Sequence, residues 1–313
     1  MLAQQPKTVF RLEPLAPFRL DLTVWALRRR PGNLIDRWDG MTYRRALVLE
    51  ESPVEVAVSQ TGPSEAPLLE VSLTGIRPKA AQVLAIRKKL ERLLGLKIDL
   101  AKFYELATHD PKLGPLVEHF RGVKPPRFPT LFEALANAIA CQQLSLSLGI
   151  LLLSRLTERF GLPAHGAAGL VHAFPRPKEL AGLKPADFRK LGFSRQKGQS
   201  IIALAQAFLG EHANEESCEA LNNQSLVERL LELRGIGRWS AEYALLRGMG
   251  RVDVYPGDDV GARNNLKRWL RLRKPLDYER VRRITSHWQA YSGLVYFHLL
   301  LDRLAASGHL ESA

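Results

Sequence analysis

Residues 233–263, LRGIGRWSAEYALLRGMGRVDVYPGDDVGAR, decide how this chain is read. Gly235 and Gly237 bracket Ile236 between an apolar helical pattern (Leu226, Leu230, Leu233) and a second helix beginning near Arg238. Glycine permits the positive φ and the close backbone approach that so short a reversal needs. The second helix then presents unpaired backbone N–H groups at its start, where a phosphate oxygen fits without any side chain. Gly235, Ile236, Gly237 and Arg238 are therefore candidate phosphate contacts, although a Gly-x-Gly between helices is also a common tight turn. A helical run over 239–246 follows, with Trp239 and Tyr243 four residues apart on one face. An extended stretch over 252–255 leads to Pro256-Gly257, and Asp258-Asp259 then open a polar helix.

The 313 residues suffice for two or three domains, and 46% hydrophobic with 25% charged residues is a globular composition rather than a disordered one. Forty-five Lys and Arg against 32 Asp and Glu give a net charge of +13. That excess fits a polyanionic partner, and charge alone does not separate nucleic acid from an acidic membrane. No apolar run approaches the roughly eighteen residues of a membrane span. The first ten residues, MLAQQPKTVF, lack the basic start and hydrophobic run of a signal peptide. Two cysteines, Cys141 and Cys218, make neither a four-cysteine iron–sulfur site nor a disulfide framework, and Cys141 reads as core. A cytoplasmic protein without an iron–sulfur cluster is expected.

Phe18, Leu20, Leu22 and Val24 alternate with polar residues, a period of two that predicts a strand. Further strands are predicted over 46–49, 54–58 and 68–73, separated by turn-rich segments such as SQTGPSEAP. Residues 77–94 have a helical pattern, and a helix packed on an antiparallel sheet is the natural arrangement. From about residue 100 the periodicity is helical, with helices predicted over 131–145, 147–160, 185–191, 196–209, 225–233 and 292–306. The expected fold class is α+β, predominantly α: an α+β domain over 1–105, then a helical domain over 106–313.

The hairpin-to-aspartate frame is similar to the helix-hairpin-helix/Gly-Pro-Asp superfamily of DNA glycosylases. The whole chain resembles bacterial DNA-3-methyladenine glycosylase II, with FEALANAIACQQLSLSLG (132–149), LGFSRQKGQSIIALAQAF (191–208) and WQAYSGLVYFHLL (288–300) in that family's order. The resemblance implies a TATA-binding-protein-like sheet with a helix, ahead of a helical domain in two subdomains. It also implies that Asp259 is the essential carboxylate, stabilising positive charge on the sugar as the glycosidic bond breaks. Asp258 would then be a helix cap or local support, and Asp253 would fix the loop through local hydrogen bonds.

Trp239 stands where strand-cutting relatives carry a Schiff-base lysine, which implies hydrolysis without a covalent intermediate. The rings of Trp239 and Tyr243 suit a base made cationic by alkylation. Gln143 falls at the family's inserting position, where the founding enzymes have leucine; Leu144 as the wedge, or a plain polar helix end at Gln142 and Gln143, are the alternatives. Leu300 takes a place some members give to a pocket tryptophan. The carbonyls of Leu231, Leu233 and Ile236 would hold Na+ or K+, and no other cofactor is implied.

Basic residues after the aspartate, Arg263 and Lys267 first among them, are candidate phosphate contacts. Arg28–Arg30 and Arg87–Lys89 read as solubility or peripheral DNA contact, His298 as a core histidine and Trp288 as packing. The implied function is a monofunctional glycosylase, acting as a monomer on double-stranded DNA, that releases alkylated purines such as 3-methyladenine and 7-methylguanine. The rivals are a glycosylase for oxidised or deaminated bases (8-oxoguanine, hypoxanthine) and a non-catalytic DNA clamp.

Overall fold

The first hundred residues build a five-stranded antiparallel sheet of order β1-β5-β4-β3-β2 in the computed structural model, which describes residues 7–210 and 215–310. The strands are β1 (Lys7–Leu12), β2 (Arg37–Trp38), β3 (Thr42–Leu49), β4 (Ser52–Gln60) and β5 (Leu69–Thr74). Residues 1–6 of the stretch tested as a signal peptide lie outside the described residues. Register places Tyr43 against Val58 and Val58 against Val71, with Leu47 against Val54 four residues along. Because side chains alternate across a strand, these apolar residues share one face. Helix α2 (Ala80–Leu93) covers that face with Ile86, Leu90 and Leu93.

Residues 20–24 of the strand expected from Phe18 to Val24 belong instead to a helix, α1 (Leu20–Arg28). Its residues are buried on two sides. Leu20, Val24 and Leu27 face the sheet core, while Leu22 and Ala26 face a helical core. A helix buried between two layers lacks a polar stripe, so its apolar positions also fit a period of two.

The helical part begins with α3 (Ala101–Thr108) and α4 (Leu113–His119), then α5 (Leu131–Cys141) and α6 (Leu146–Phe160). A small hairpin, β6 (Pro163–Gly166) and β7 (Gly169–His172), precedes α7 (Pro177–Leu180), α8 (Pro185–Lys190), α9 (Arg195–Leu209) and α10 (Glu215–Glu219). Helix α11 (Asn223–Leu231) leads through the glycine turn to α12 (Arg238–Ala244), which runs on as a π-helical turn, Leu245–Met249. The chain closes with α13 (Val260–Trp269), α14 (Tyr278–Thr285), a 3-10 segment (Ser286–Tyr291) and α15 (Ser292–Ala305).

Two helical cores result. One gathers α5, α6, α9, α11 and α12; the other gathers α3, α4, α13, α14 and α15. The sheet core ends at Leu96 and the second helical core takes over at Leu100. A buried Arg45 on β3 pairs with Asp36 (2.7 Å) and with Glu133 of α5, tying the sheet to the first helical core. Helix α5 stops at Cys141, short of the expected residue 145, because Gln143 takes a left-handed conformation (φ 53°) and Ser145 caps the next helix. Within the stretch 252–255 no strand forms: Val252 and Asp253 make a turn, closed by Val254 N–H donating to the Arg251 carbonyl (3.0 Å). Among the described residues no helix is long and apolar enough to cross a membrane.

Candidate active site

The glycine turn is built as its sequence demands. Gly235 has φ 82°, and Ile236 N–H donates to the Leu233 carbonyl (3.1 Å) to close the reversal. A Cβ on Gly235 would lie 2.3 Å from Ser200 Oγ, so what approaches this glycine closely is helix α9. Gly237 caps α12 without a side-chain acceptor and has open space at its Cα, leaving the first N–H groups of the helix unpaired by any side-chain cap. Arg238, the first residue of that helix, is held aside: Nε donates to Asp258 (2.7 Å) and the guanidinium lies 3.7 Å from the centre of the Tyr278 ring.

Between the two helical cores lies a cavity of about 860 Å³. Trp239, Tyr243, Asp258, Asp259, Tyr296 and Leu300 are on its wall, together with Arg29, Cys141, Gln143 and Leu144. Asp259 is the N-cap of α13: Oδ1 accepts from Ala262 N–H (2.8 Å). Its other oxygen, Oδ2, accepts from Trp239 Nε1 (3.1 Å). The cap therefore belongs to Asp259 and not to Asp258, which instead pairs with Arg238. One carboxylate both starts the helix and faces the cavity, with its plane set by two donors.

The loop that presents Asp259 is pinned from behind. Glu242, on α12, accepts from Gly257 N–H (3.0 Å) and from the Tyr278 hydroxyl (2.6 Å). Burial pushes the Glu242 carboxyl up, and burial together with that hydrogen bond pushes the Tyr278 phenol up to about 12. Asp253 is exposed and makes distant ties rather than local ones, accepting from Asn223 at the side chain (2.6 Å) and from Ser292 at the backbone (2.7 Å).

Tyr243 lies 5.6 Å from Trp239, ring centre to ring centre, and only 2% of it is exposed. Its ring is approached by two guanidinium groups, Arg29 at 5.9 Å and Arg247 at 5.7 Å. Arg28 and Arg29 are buried, so the surface role expected for that arginine run does not hold for them. Arg29 caps α1 in a left-handed conformation (φ 60°), which turns it inward. It donates to the Tyr243 hydroxyl (2.9 Å) and to Asn137 Oδ1 (3.0 Å). Sequence reasoning missed it because three consecutive arginines before Pro31-Gly32 look like a solvated turn once α1 is taken for a strand. Cys141, expected in the core, is half-buried on the cavity wall, and burial pushes its thiol up.

The turn between α5 and α6 carries Gln143 and Leu144, both exposed at the cavity mouth. Gln142 braces it, its amide donating to the Gly235 carbonyl (2.8 Å) and to Ser240 Oγ (2.9 Å). Lys197 adds bonds to the carbonyls of Ala140 (2.8 Å) and Gln142 (2.6 Å). Gln142 is thus a strut between two loops rather than half of a polar helix end. His298 is core, with Nδ1 2.8 Å from the Leu294 carbonyl and the ring against Phe103 (5.2 Å). Trp288 packs on Trp269 and donates to Asp110 (2.9 Å).

A glycine turn opening a helix without a side-chain cap, beside a cavity walled by a fixed carboxylate and aromatic rings, defines a helix-hairpin-helix enzyme of DNA base excision. The chain belongs to the HhH-GPD superfamily of base excision DNA repair proteins, which residues 136–290 match. It is 32% identical over 164 residues to DNA-3-methyladenine glycosylase 1 of Schizosaccharomyces pombe, covering 52% of this chain and 68% of that protein. It is 28% identical over 214 residues to the DNA-3-methyladenine glycosylase of Bacillus subtilis, covering 68% and 71%. The solved 3-methyladenine DNA-glycosylase from Archaeoglobus fulgidus has the same fold, with a TM-score of 0.82 at 26% identity over 94% of this chain and 98% of that one.

Proposed function

We propose that the chain is a monofunctional DNA glycosylase that flips an alkylated purine into the cavity and hydrolyses its glycosidic bond. The observation that carries this reading is Asp259, whose carboxylate reaches the cavity with both oxygens held by donors. As the C1′–N bond breaks, its electron pair goes to the base and the sugar becomes an oxocarbenium-like cation. A carboxylate fixed beforehand beside that cation lowers the barrier without reorganising. Water then adds to C1′ and loses a proton. Trp239 has no nucleophilic amine, which favours this route over an imine.

The other roles follow from position. Trp239 stacks on the base, and Tyr243, whose ring is engaged by Arg29 and Arg247, lines the pocket beside it. Gln143 fills the space left in the duplex, its left-handed backbone projecting it with Leu144 from the turn. Gly235, Ile236, Gly237 and, through its backbone N–H, Arg238 face one strand's phosphates, with Arg263 and Lys267 behind them on α13. The exposed turn also offers the carbonyls of Leu231, Leu233 and Ile236, of which Leu233 already accepts one bond from Ile236. Neutral oxygens of this kind suit Na+ or K+, which would bring positive charge toward a phosphate. The protein works as a monomer, bound to damaged duplex in the nucleoid.

Purified protein incubated with methylated DNA tests the reading. Free 3-methyladenine and 7-methylguanine should appear in solution, strands should stay uncut until alkali is added, and borohydride should trap no covalent complex. A trapped adduct on a lysine of this chain would overturn the monofunctional route, and absence of any released base would overturn the glycosylase reading.

A further inference from the structure

The cavity wall contains a cation that the reaction above does not use. Arg29 is 5% exposed, lines the cavity, and makes no ion pair among the described residues. Its two bonds go to neutral oxygens, Tyr243 and Asn137 Oδ1, and its Nε has no partner. Since a guanidinium carries five N–H donors, Nη1 and Nη2 each keep a donor beyond these two bonds, on a side chain that lines the cavity. Burying an unpaired cation is costly, and a tie between α1, α5 and α12 does not require a charge. The aromatic face of Tyr243 is also already engaged by Arg29 and Arg247.

Resting on the glycosylase reading, we infer that Arg29 is a specificity-determining residue that reads the charge of the flipped base. A base made permanently cationic by alkylation meets like charge at the wall and leaves as a neutral molecule. A neutral base offers lone pairs to the guanidinium. As its glycosidic bond breaks it takes the electron pair and becomes anionic, and Arg29 stabilises that anion until water protonates it. Arg29 therefore helps neutral bases leave and does nothing comparable for cationic ones.

Single-turnover release from two duplexes that differ only in the lesion tests this, with 7-methylguanine as the cationic probe and hypoxanthine as the neutral one. Arg29→Gln should shift the ratio of the two rates about a hundred- to a thousandfold toward 7-methylguanine, the effect of losing one preorganised donor to developing negative charge. Arg29→Lys keeps the charge but loses the fork, so its shift should have the same direction and be smaller. Equal losses on both probes, in whichever variant retains cooperative unfolding, would make Arg29 only a structural tie and overturn the inference. So would wild-type protein that releases 7-methylguanine but not hypoxanthine. Wild-type protein that releases neither would instead overturn the glycosylase reading on which the inference rests.

Discussion

Trp239 Nε1 donates to Asp259 Oδ2 at 3.1 Å across the cavity wall, joining the helix after the glycine turn to the helix after the Pro-Gly turn. The two residues are twenty apart in sequence, and each begins its role near a helix N-terminus. The glycine turn and the cavity carboxylate are therefore parts of one frame. Removing this bond while keeping the ring is the mildest way to loosen that frame. Trp239→Phe should slow base release about ten- to a hundredfold, the scale of one hydrogen bond to a charged acceptor. Its affinity for undamaged duplex should fall much less than its rate. Equal losses in rate and undamaged-duplex affinity would place Trp239 in the clamp instead.

The two glycines of the turn should separate folding from DNA binding. Gly235→Ala puts an L side chain at φ 82° with its Cβ 2.3 Å from Ser200 Oγ. It should cost about 1–3 kcal/mol of stability from strain and overpacking. Gly237→Ala meets nothing within 4 Å, so thermal stability should be held, while the methyl at the helix start weakens binding to every duplex alike. Melting temperatures and fluorescence anisotropy on unmodified DNA check both. Lesion preference should survive in each, because recognition belongs to the cavity.

Binding to undamaged duplex should be sequence-blind and steeply dependent on salt. With about three to five phosphates neutralised by the hairpin, Arg263, Lys267 and their neighbours, log affinity should fall against log salt with a slope of roughly −3 to −4.5. Arg268 contributes less than its position on α13 suggests, since it is paired with Asp302. Arg268→Ala should therefore leave the slope nearly unchanged, whereas Lys267→Ala should reduce its magnitude by about one. A slope near zero would contradict a phosphate clamp.

His298 makes acid stability measurable at one residue. Burial lowers its imidazole from 6.5 to about 4, against the bond to the Leu294 carbonyl, which raises it. The unfolded chain takes up this proton near pH 6.5 and the folded protein only near pH 4. The stabilising contribution is thus complete above pH 6.5 and is lost as pH falls through that window. It amounts to about 3 kcal/mol for this group. His298→Leu should flatten the stability profile between pH 6.5 and 4, as read from urea midpoints, and an unchanged slope would refute the assignment.

Much of this was legible in the sequence, and the failures have physical causes. The strands around Val54–Val58 and helices α6 and α9 stand near their expected places because each has one apolar face and a clear boundary signal. Helix α1 was misread because two cores bury it from opposite sides, which erases the 3.6-residue period. That error hid Arg29, since only a helix ending in a left-handed residue turns its arginine into the cavity. The family frame implies the carboxylate role of Asp259, but which of two adjacent aspartates caps α13 is not legible in the sequence, since both precede the helix. The fold joins cap and cavity in Asp259 because α12 runs close enough for Trp239 to reach the second oxygen. Gln142 was indistinguishable from an ordinary helix end, because its partners, Gly235 and Ser240, lie more than ninety residues away.

The central claim is that Asp259 stabilises the charge on the sugar, and Asp259→Asn tests it most directly. Asparagine keeps an oxygen for Ala262 N–H and caps helices well, so the protein should stay folded and bind DNA. Single-turnover release of 7-methylguanine should fall by roughly two to three powers of ten. A near-wild-type rate in this variant would contradict the claim, and the same rate combined with loss in Asp258→Asn would move the role to the neighbouring residue.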